Sequence, residues 1–124
     1  MNNKLKTIML EDDMVSRMIL ENYCQNHPSI HLIKDFDDIA SAKDFLAKEQ
    51  VDLVLLDIQL KNSSGFDLLQ YLPPSTQVIV TTGSTKSIEE AKKLGLENCL
   101  LKPINLESFL FSIKKLEQTS SELI

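Results

Sequence analysis

The sequence has only two cysteines and no tryptophan, and it has no long apolar run. Cys24 and Cys99 lie far apart without CxxC spacing, which excludes a disulfide framework and a zinc site built on paired cysteines. No segment approaches the ~20 apolar residues of a transmembrane helix. The first residues also lack the features of a secretory signal. We therefore expect a soluble, cytoplasmic protein without membrane contact, with both cysteines reduced and buried.

Several ligand-binding signatures are also missing. The chain has no GxGxxG motif and no P-loop lysine motif, so nothing in it favours nucleotide binding. His27 and His31 flank a proline and do not share a helix face, which argues against a zinc site. The formal net charge is −5, from 13 basic and 18 acidic residues. An acidic chain without a basic face is not expected to bind nucleic acid directly.

The 124 residues, 43% of them apolar, contain a short apolar run followed by a helical pattern about five times. This length predicts one domain over residues 1–124, with a core from about residue 6 to 117 and a tail or linker beyond it. A turn is predicted at Asp35–Asp38, and Leu68, Leu69 and Leu72 mark a third helix that Pro73 ends. The predicted strands are Thr7–Leu10, Ile30–Ile33, Val51–Leu56, Gln77–Thr81 and Asn98–Leu101.

This alternation predicts an α/β fold, a single (βα)5 doubly wound parallel sheet of the flavodoxin-like kind with strand order 2-1-3-4-5. Ligands of such sheets bind beyond the carboxyl ends of the strands. Polar and charged side chains stand at several of these ends: Glu11, Asp12, Asp57, Thr82 and Lys102. We expect them to lie close together.

Three carboxylates at one edge repel each other unless a cation neutralises them. Mg²⁺ fits best, because it takes a few carboxylate and carbonyl oxygens and retains several waters. A carboxylate beside Mg²⁺ can also act as a nucleophile toward a phosphoryl group. Lys102 and Thr82 would supply a cation and a hydroxyl for that group. The pair Asp12-Asp13 alone is equally consistent with a helix N-cap, but Asp57 directly after Val-Leu-Leu favours a site.

The order and spacing of these motifs resemble the receiver domain of bacterial two-component response regulators, which has the CheY-like fold. The resemblance extends from about Thr7 to Leu116. It rests on Glu11-Asp12-Asp13 after the first strand, Asp57 with Gly65 eight residues later, the run Val78–Gly83, and Leu100-Leu101-Lys102-Pro103.

The resemblance implies a magnesium-dependent signalling switch rather than an enzyme, although the domain would catalyse its own phosphorylation and dephosphorylation. Asp57 would be the phosphoacceptor, Thr82 the switch hydroxyl, and Lys102 its basic partner, with the peptide bond to Pro103 in cis. The implied Mg²⁺ ligands are Glu11, Asp12, Asp57 and the backbone carbonyl of Gln59.

The resemblance also implies partners. A sensor histidine kinase or phosphotransfer protein would dock at the first helix, near Val15 and Met18. An effector domain or downstream protein would bind the face made by the fourth helix, the fifth strand and the fifth helix, and a homodimer is left open. The short segment Thr82–Gly95 is similar to that of receivers attached to LytTR-type DNA-binding domains.

Two positions depart from the family pattern. Cys99 stands where the family often has a rotating aromatic residue, and Lys61 where it often has proline. The alternative interpretation is a pseudo-receiver, an interaction module with this fold that is never phosphorylated. The complete set of site residues favours the working switch, and the missing aromatic residue at Cys99 favours the alternative.

Overall fold

The computed structural model describes residues 4–122. Five parallel strands form one sheet in the order β2-β1-β3-β4-β5, which confirms the predicted fold class and strand order. The strands are β1 Leu5–Leu10, β2 Ile30–Phe36, β3 Leu53–Asp57, β4 Gln77–Thr82 and β5 Cys99–Leu101. β3 lies at the centre of the sheet and is buried along its whole length, as its apolar run predicts.

Within residues 4–122, four α-helices and one 3₁₀ helix connect or follow the strands: α1 Met14–Gln25, α2 Ile39–Lys48, the 3₁₀ helix Gly65–Tyr71, α3 Thr85–Lys93 and α4 Leu106–Glu122. Each α-helix begins after a side chain that accepts a hydrogen bond from a backbone N–H of the first turn. Asp13, Asp38, Ser84 and Asn105 make these caps. The polar residues that follow the strands therefore also start the helices.

Several predicted boundaries were wrong. β1 begins at Leu5 rather than Thr7, β4 ends at Thr82 rather than Thr81, and β5 begins at Cys99 rather than Asn98. The third helical segment is a 3₁₀ helix that ends before Leu72, with hydrogen bonds between residues three apart. β2 continues through Asp35, where a turn was predicted, because the Phe36 side chain is buried and its carbonyl accepts the Glu11 N–H at 2.9 Å. β3 begins at Leu53, two residues later than predicted.

Alternating side chains of the strands fill two apolar layers, one on each side of the sheet. Met9, Leu53 and Leu55 pack on one side with α1 and α4, whereas Ile8 and Val54 pack on the other with α2 and the 3₁₀ helix. Cys24 is a buried free thiol, as predicted. The prediction of a buried Cys99 was wrong, because this thiol is only partly buried on the short edge strand β5.

Two turn features follow from the sequence. Gly95 ends the α3 segment with a φ of 85°, the left-handed conformation that glycine adopts without steric cost. The Lys102-Pro103 peptide bond is cis, as predicted. In the part of the chain described, no helix has the length and apolar character needed to cross a lipid bilayer.

Candidate acidic site at the sheet edge

Three carboxylates meet at the carboxyl edge of the central strands. Glu11 directly follows β1 and Asp57 ends β3, and the register between these strands pairs Leu10 with Leu56, so both acids lie at the same level of the sheet. One oxygen from each of Glu11, Asp12 and Asp57 lies within 4.8 Å of the others. Glu11 and Asp57 are buried and Asp12 is half-buried. The sequence predicted this juxtaposition.

Lys102 brings a positive charge to the same cluster. It follows β5, and its backbone N–H donates to the Thr82 carbonyl at 2.8 Å, which extends the sheet pairing by one residue. Its Nζ lies 2.7 Å from Glu11 Oε1 and 3.2 Å from Asp57 Oδ2. Burial lowers the pKa of this ammonium, but the hydrogen bond to Glu11 and the charges of both acids outweigh it, so its pKa is raised. Lys102 therefore stays protonated beside the carboxylates.

The single ammonium does not neutralise the three acids. Burial, then the hydrogen bond and negative charge of Glu11, raise the pKa of Asp57 to about 7. The charge of Lys102 and the Gln59 N–H, which donates to Asp57 Oδ1 at 3.0 Å, act in the opposite direction without reversing the shift. An ionised Asp57 is thus costly in this site until a further positive charge arrives.

The site fits a hard divalent cation. Its donors are carboxylate oxygens, the ligands that Mg²⁺ prefers. Glu11 Oε1 is buried and its one close partner is the Lys102 ammonium at 2.7 Å, so this oxygen keeps a second lone pair to offer to a metal. Glu11, Asp12 and Asp57 would hold Mg²⁺, which would neutralise the carboxylates and an incoming anion. The backbone carbonyl of Gln59 remains a predicted further ligand of Mg²⁺.

Thr82 lies beside the acids but is held by another residue. Its buried hydroxyl donates to Gln59 Oε1 at 3.3 Å, and the Gly83 N–H donates to the same oxygen at 3.2 Å. The Thr82 hydroxyl also accepts the Ser84 N–H at 3.1 Å. Sequence reasoning placed Thr82 here but missed the Gln59 side chain. The only indication in the sequence was the presence of glutamine, whose long side chain ends in an amide, two residues after Asp57.

Two further residues support the loops that carry the acids, and sequence reasoning missed both. Arg17 of α1 donates from Nη2 to the Glu11 carbonyl at 3.0 Å, and the Lys61 N–H donates to Asp12 Oδ2 at 2.7 Å. Both contacts join residues of different loops or elements. The backbone of Glu11 is therefore held from α1, and the side chain of Asp12 is held from the loop after β3.

An apolar surface borders the site. Met14, Val15 and Met18 of α1 are 70%, 65% and 62% exposed, which is unusual for side chains of this kind. Next to them lies a groove of about 250 Å³, lined by Val15, Ser16, Ile19, Lys102, Pro103 and Ile104. Lys102 thus joins the acid cluster to the groove.

The chain is similar to known signalling proteins over nearly its whole length. The family model described as the response regulator receiver domain matches residues 7–114. Among curated proteins, the sensory transduction protein LytT of Bacillus anthracis is 26% identical over 97% of this chain and 50% of its own length. The sensory transduction protein LytR of Streptococcus mutans is 28% identical over 94% of this chain and 51% of its own. The chain thus spans about half the length of the curated relatives it matches.

Solved structures show the same fold. The response regulatory domain of protein mrkE from Klebsiella pneumoniae superposes with a TM-score of 0.85 at 23% identity, covering 95% of this chain and 99% of that one. The signal receiver domain of an HD domain-containing protein from Pseudomonas fluorescens Pf-5 gives 0.79 at 27% identity, covering 96% and 99%.

Proposed function

Because this chain belongs to the response regulator receiver domain family, we propose that it accepts a phosphoryl group on Asp57 from a sensor histidine kinase or phosphotransfer protein. The main support is that Asp57 lies beside Glu11, Asp12 and the Lys102 ammonium at the carboxyl edge of the sheet. Mg²⁺ bound by the three acids would neutralise the nucleophile and the phosphoryl oxygens.

In the proposed transfer, a carboxylate oxygen of Asp57 forms a bond to the phosphorus of a phosphohistidine while the P–N bond breaks. The electron pair of that bond stays on the ring nitrogen, and a ring protonated on its other nitrogen leaves as neutral imidazole. Lys102 stabilises negative charge on the phosphoryl oxygens. Water would later hydrolyse the acyl phosphate and regenerate the Asp57 carboxylate and inorganic phosphate.

We propose that the switch passes from Thr82 to α3. A Thr82 hydroxyl that moves onto a phosphoryl oxygen leaves the Ser84 N–H, which it accepts at rest. Ser84 is the residue that caps α3. The repositioned hydroxyl therefore acts on the start of α3 directly, a route that does not need an aromatic residue at Cys99.

The exposed apolar surface of α1 suits the phosphoryl donor. A donor helix packed on Met14, Val15 and Met18 would bury side chains that are now mostly exposed, and it would bring its histidine next to the end of β3. We also propose a cytoplasmic location, since two-component donors draw their phosphoryl groups from ATP and both thiols of the domain are free.

The output surface would be the face made by α3, β5 and α4. Exposed apolar side chains occur on or next to all three elements: Leu94, Leu101, Leu106, Leu110 and Phe111. An effector domain, a downstream protein or a second copy of the chain would cover them. The pseudo-receiver alternative would use the same face without phosphorylation.

Incubation with acetyl phosphate tests the proposal by intact-protein mass. We expect the wild-type chain to gain the mass of one phosphoryl group in Mg²⁺ and none in EDTA, as acetate leaves and Asp57 takes its place on phosphorus. A folded protein that gains nothing in Mg²⁺, beside a receiver known to react, would favour the pseudo-receiver. An equal gain in EDTA would exclude a role for the metal.

A further inference from the structure

Two hydrogen-bond donors at the edge of the site converge on one oxygen. The Thr82 hydroxyl and the Gly83 N–H both donate to Gln59 Oε1, at 3.3 and 3.2 Å. These residues are more than twenty positions from Gln59 in sequence, so the contact joins the loop after β3 to the end of β4. Two donors aimed at one oxygen form the kind of cradle that binds an oxyanion.

Resting on the proposed function, we infer that Gln59 Oε1 is a placeholder for a phosphoryl oxygen, which keeps the Thr82 and Gly83 donors engaged until Asp57 is phosphorylated. The Gln59 side chain is exposed and belongs to no apolar cluster, so packing does not account for its position. Its backbone N–H donates to Asp57 Oδ1, which fixes it next to the acceptor.

The chemistry of the two acceptors explains why the placeholder would yield. A neutral amide oxygen is a weaker acceptor than a charged phosphoryl oxygen, since charge-assisted hydrogen bonds are roughly twice as strong. The Thr82 and Gly83 contacts to Gln59 are also long for hydrogen bonds. They suffice to hold the donors at rest and are weak enough for a phosphoryl group to displace. They must therefore break as the phosphoryl group is transferred to Asp57, which slows the reaction.

The test compares Gln59→Met with the wild type. Methionine has similar length but no carbonyl oxygen, and the exposed position keeps the fold independent of the change. The matched control is Gln25→Met, at the exposed C-terminal end of α1. With acetyl phosphate and saturating Mg²⁺, we expect Gln59→Met to be phosphorylated about threefold faster, the effect of freeing about one weak hydrogen bond. Gln25→Met should match the wild type.

A second readout does not depend on phosphorylation. In metal-free, unphosphorylated protein, the Gly83 amide proton should move upfield in Gln59→Met, because it loses its acceptor, and stay in place in Gln25→Met. An unchanged or slower rate, or an unmoved Gly83 resonance, would overturn the placeholder while leaving the phosphoacceptor proposal in place. A wild type that takes up no phosphoryl group would overturn both, whatever the Gly83 resonance does.

Discussion

Asp57→Asn is expected to abolish phosphorylation by acetyl phosphate and, at the same time, to stabilise the metal-free protein. Asparagine keeps the shape of the side chain but removes the nucleophilic carboxylate and one of three clustered negative charges. Loss of the reaction therefore comes without loss of the fold. Because Asp57 and Glu11 together hold most of the buried charge, the variant should also lose the rise in Tm that we expect Mg²⁺ to give the wild type through binding to the native state.

The pH dependence of this stabilisation has a definite sign. The folded pKa of Asp57, about 7, lies above its ordinary value of 3.8, so ionising this group destabilises the native state. The cost is absent below pH ~4, grows between about 4 and 7, and is complete above 7. A shift of this size corresponds to at most about 4 kcal/mol. The site is partly screened by solvent, and Asp57→Asn also loses the contact with Lys102. We therefore expect the free energy of unfolding of the variant to rise by about 1–2 kcal/mol, or ~5 °C in Tm, above pH 7.

Thermal unfolding in EDTA across this pH range measures the effect. The matched control is Asp44→Asn, which makes the same charge change at an exposed position of α2. Asp44→Asn should leave Tm close to that of the wild type at each pH and keep the Mg²⁺ response. A Tm of Asp57→Asn that is below the wild type at pH 8, or that still rises with Mg²⁺ as in the wild type, would contradict the electrostatic account of the site.

Gly65→Ala is expected to lower Tm by roughly 10 °C. A Cβ at this position would lie 2.0 Å from the Asp57 carbonyl oxygen and 3.0 Å from Ile58 Cα, so the conflict is with backbone that cannot rotate away. The Gly65 N–H also donates to the Ile58 carbonyl at 2.9 Å, which ties the 3₁₀ helix to the end of β3. Overpacking at such a position costs about 3 kcal/mol. The displaced backbone carries Asp57, so phosphorylation should slow as well.

Gly83→Ala is the control for this substitution. Its added Cβ would lie 3.6 Å from Gln59 Oε1, an ordinary van der Waals contact with a flexible side chain. We expect Gly83→Ala to change Tm by no more than about 2 °C, as exposed substitutions usually do. Both variants are unfolded thermally and followed by circular dichroism. Equal Tm values would show that glycine at position 65 is not required for the close approach of this segment to the Asp57 and Ile58 backbone.

The residue positions that the sequence predicted correctly are those fixed by topology. Glu11, Asp57 and Lys102 end or follow apolar strands, and a parallel sheet of known order brings such positions to one edge. Right-handed connections leave few topologies for alternating strands and helices, and the order 2-1-3-4-5 is the common one. Neither inference needs the position of a side chain.

The features that the sequence did not predict depend on side-chain rotamers and tertiary contacts. Gln59 is an exposed polar residue in a loop, and only the folded chain shows that its amide oxygen reaches the end of β4. Arg17 belongs to the polar pattern of α1, yet its guanidinium bonds the Glu11 carbonyl. A helical spacing of leucines likewise does not distinguish the 3₁₀ winding of Gly65–Tyr71 from an α-helix, nor does it show how closely Gly65 approaches the end of β3.

The assignment of Asp57 as the phosphoacceptor can be tested by mapping the residue that carries the phosphoryl group. Borohydride reduces an aspartyl phosphate to homoserine, which peptide mass spectrometry locates after treatment with acetyl phosphate and Mg²⁺. We expect homoserine at position 57 and at no other acid, Asp12 included. Homoserine at position 12 with an unmodified Asp57, or stable phosphate on Thr82 or a histidine, would contradict the assignment of Asp57 as the phosphoacceptor.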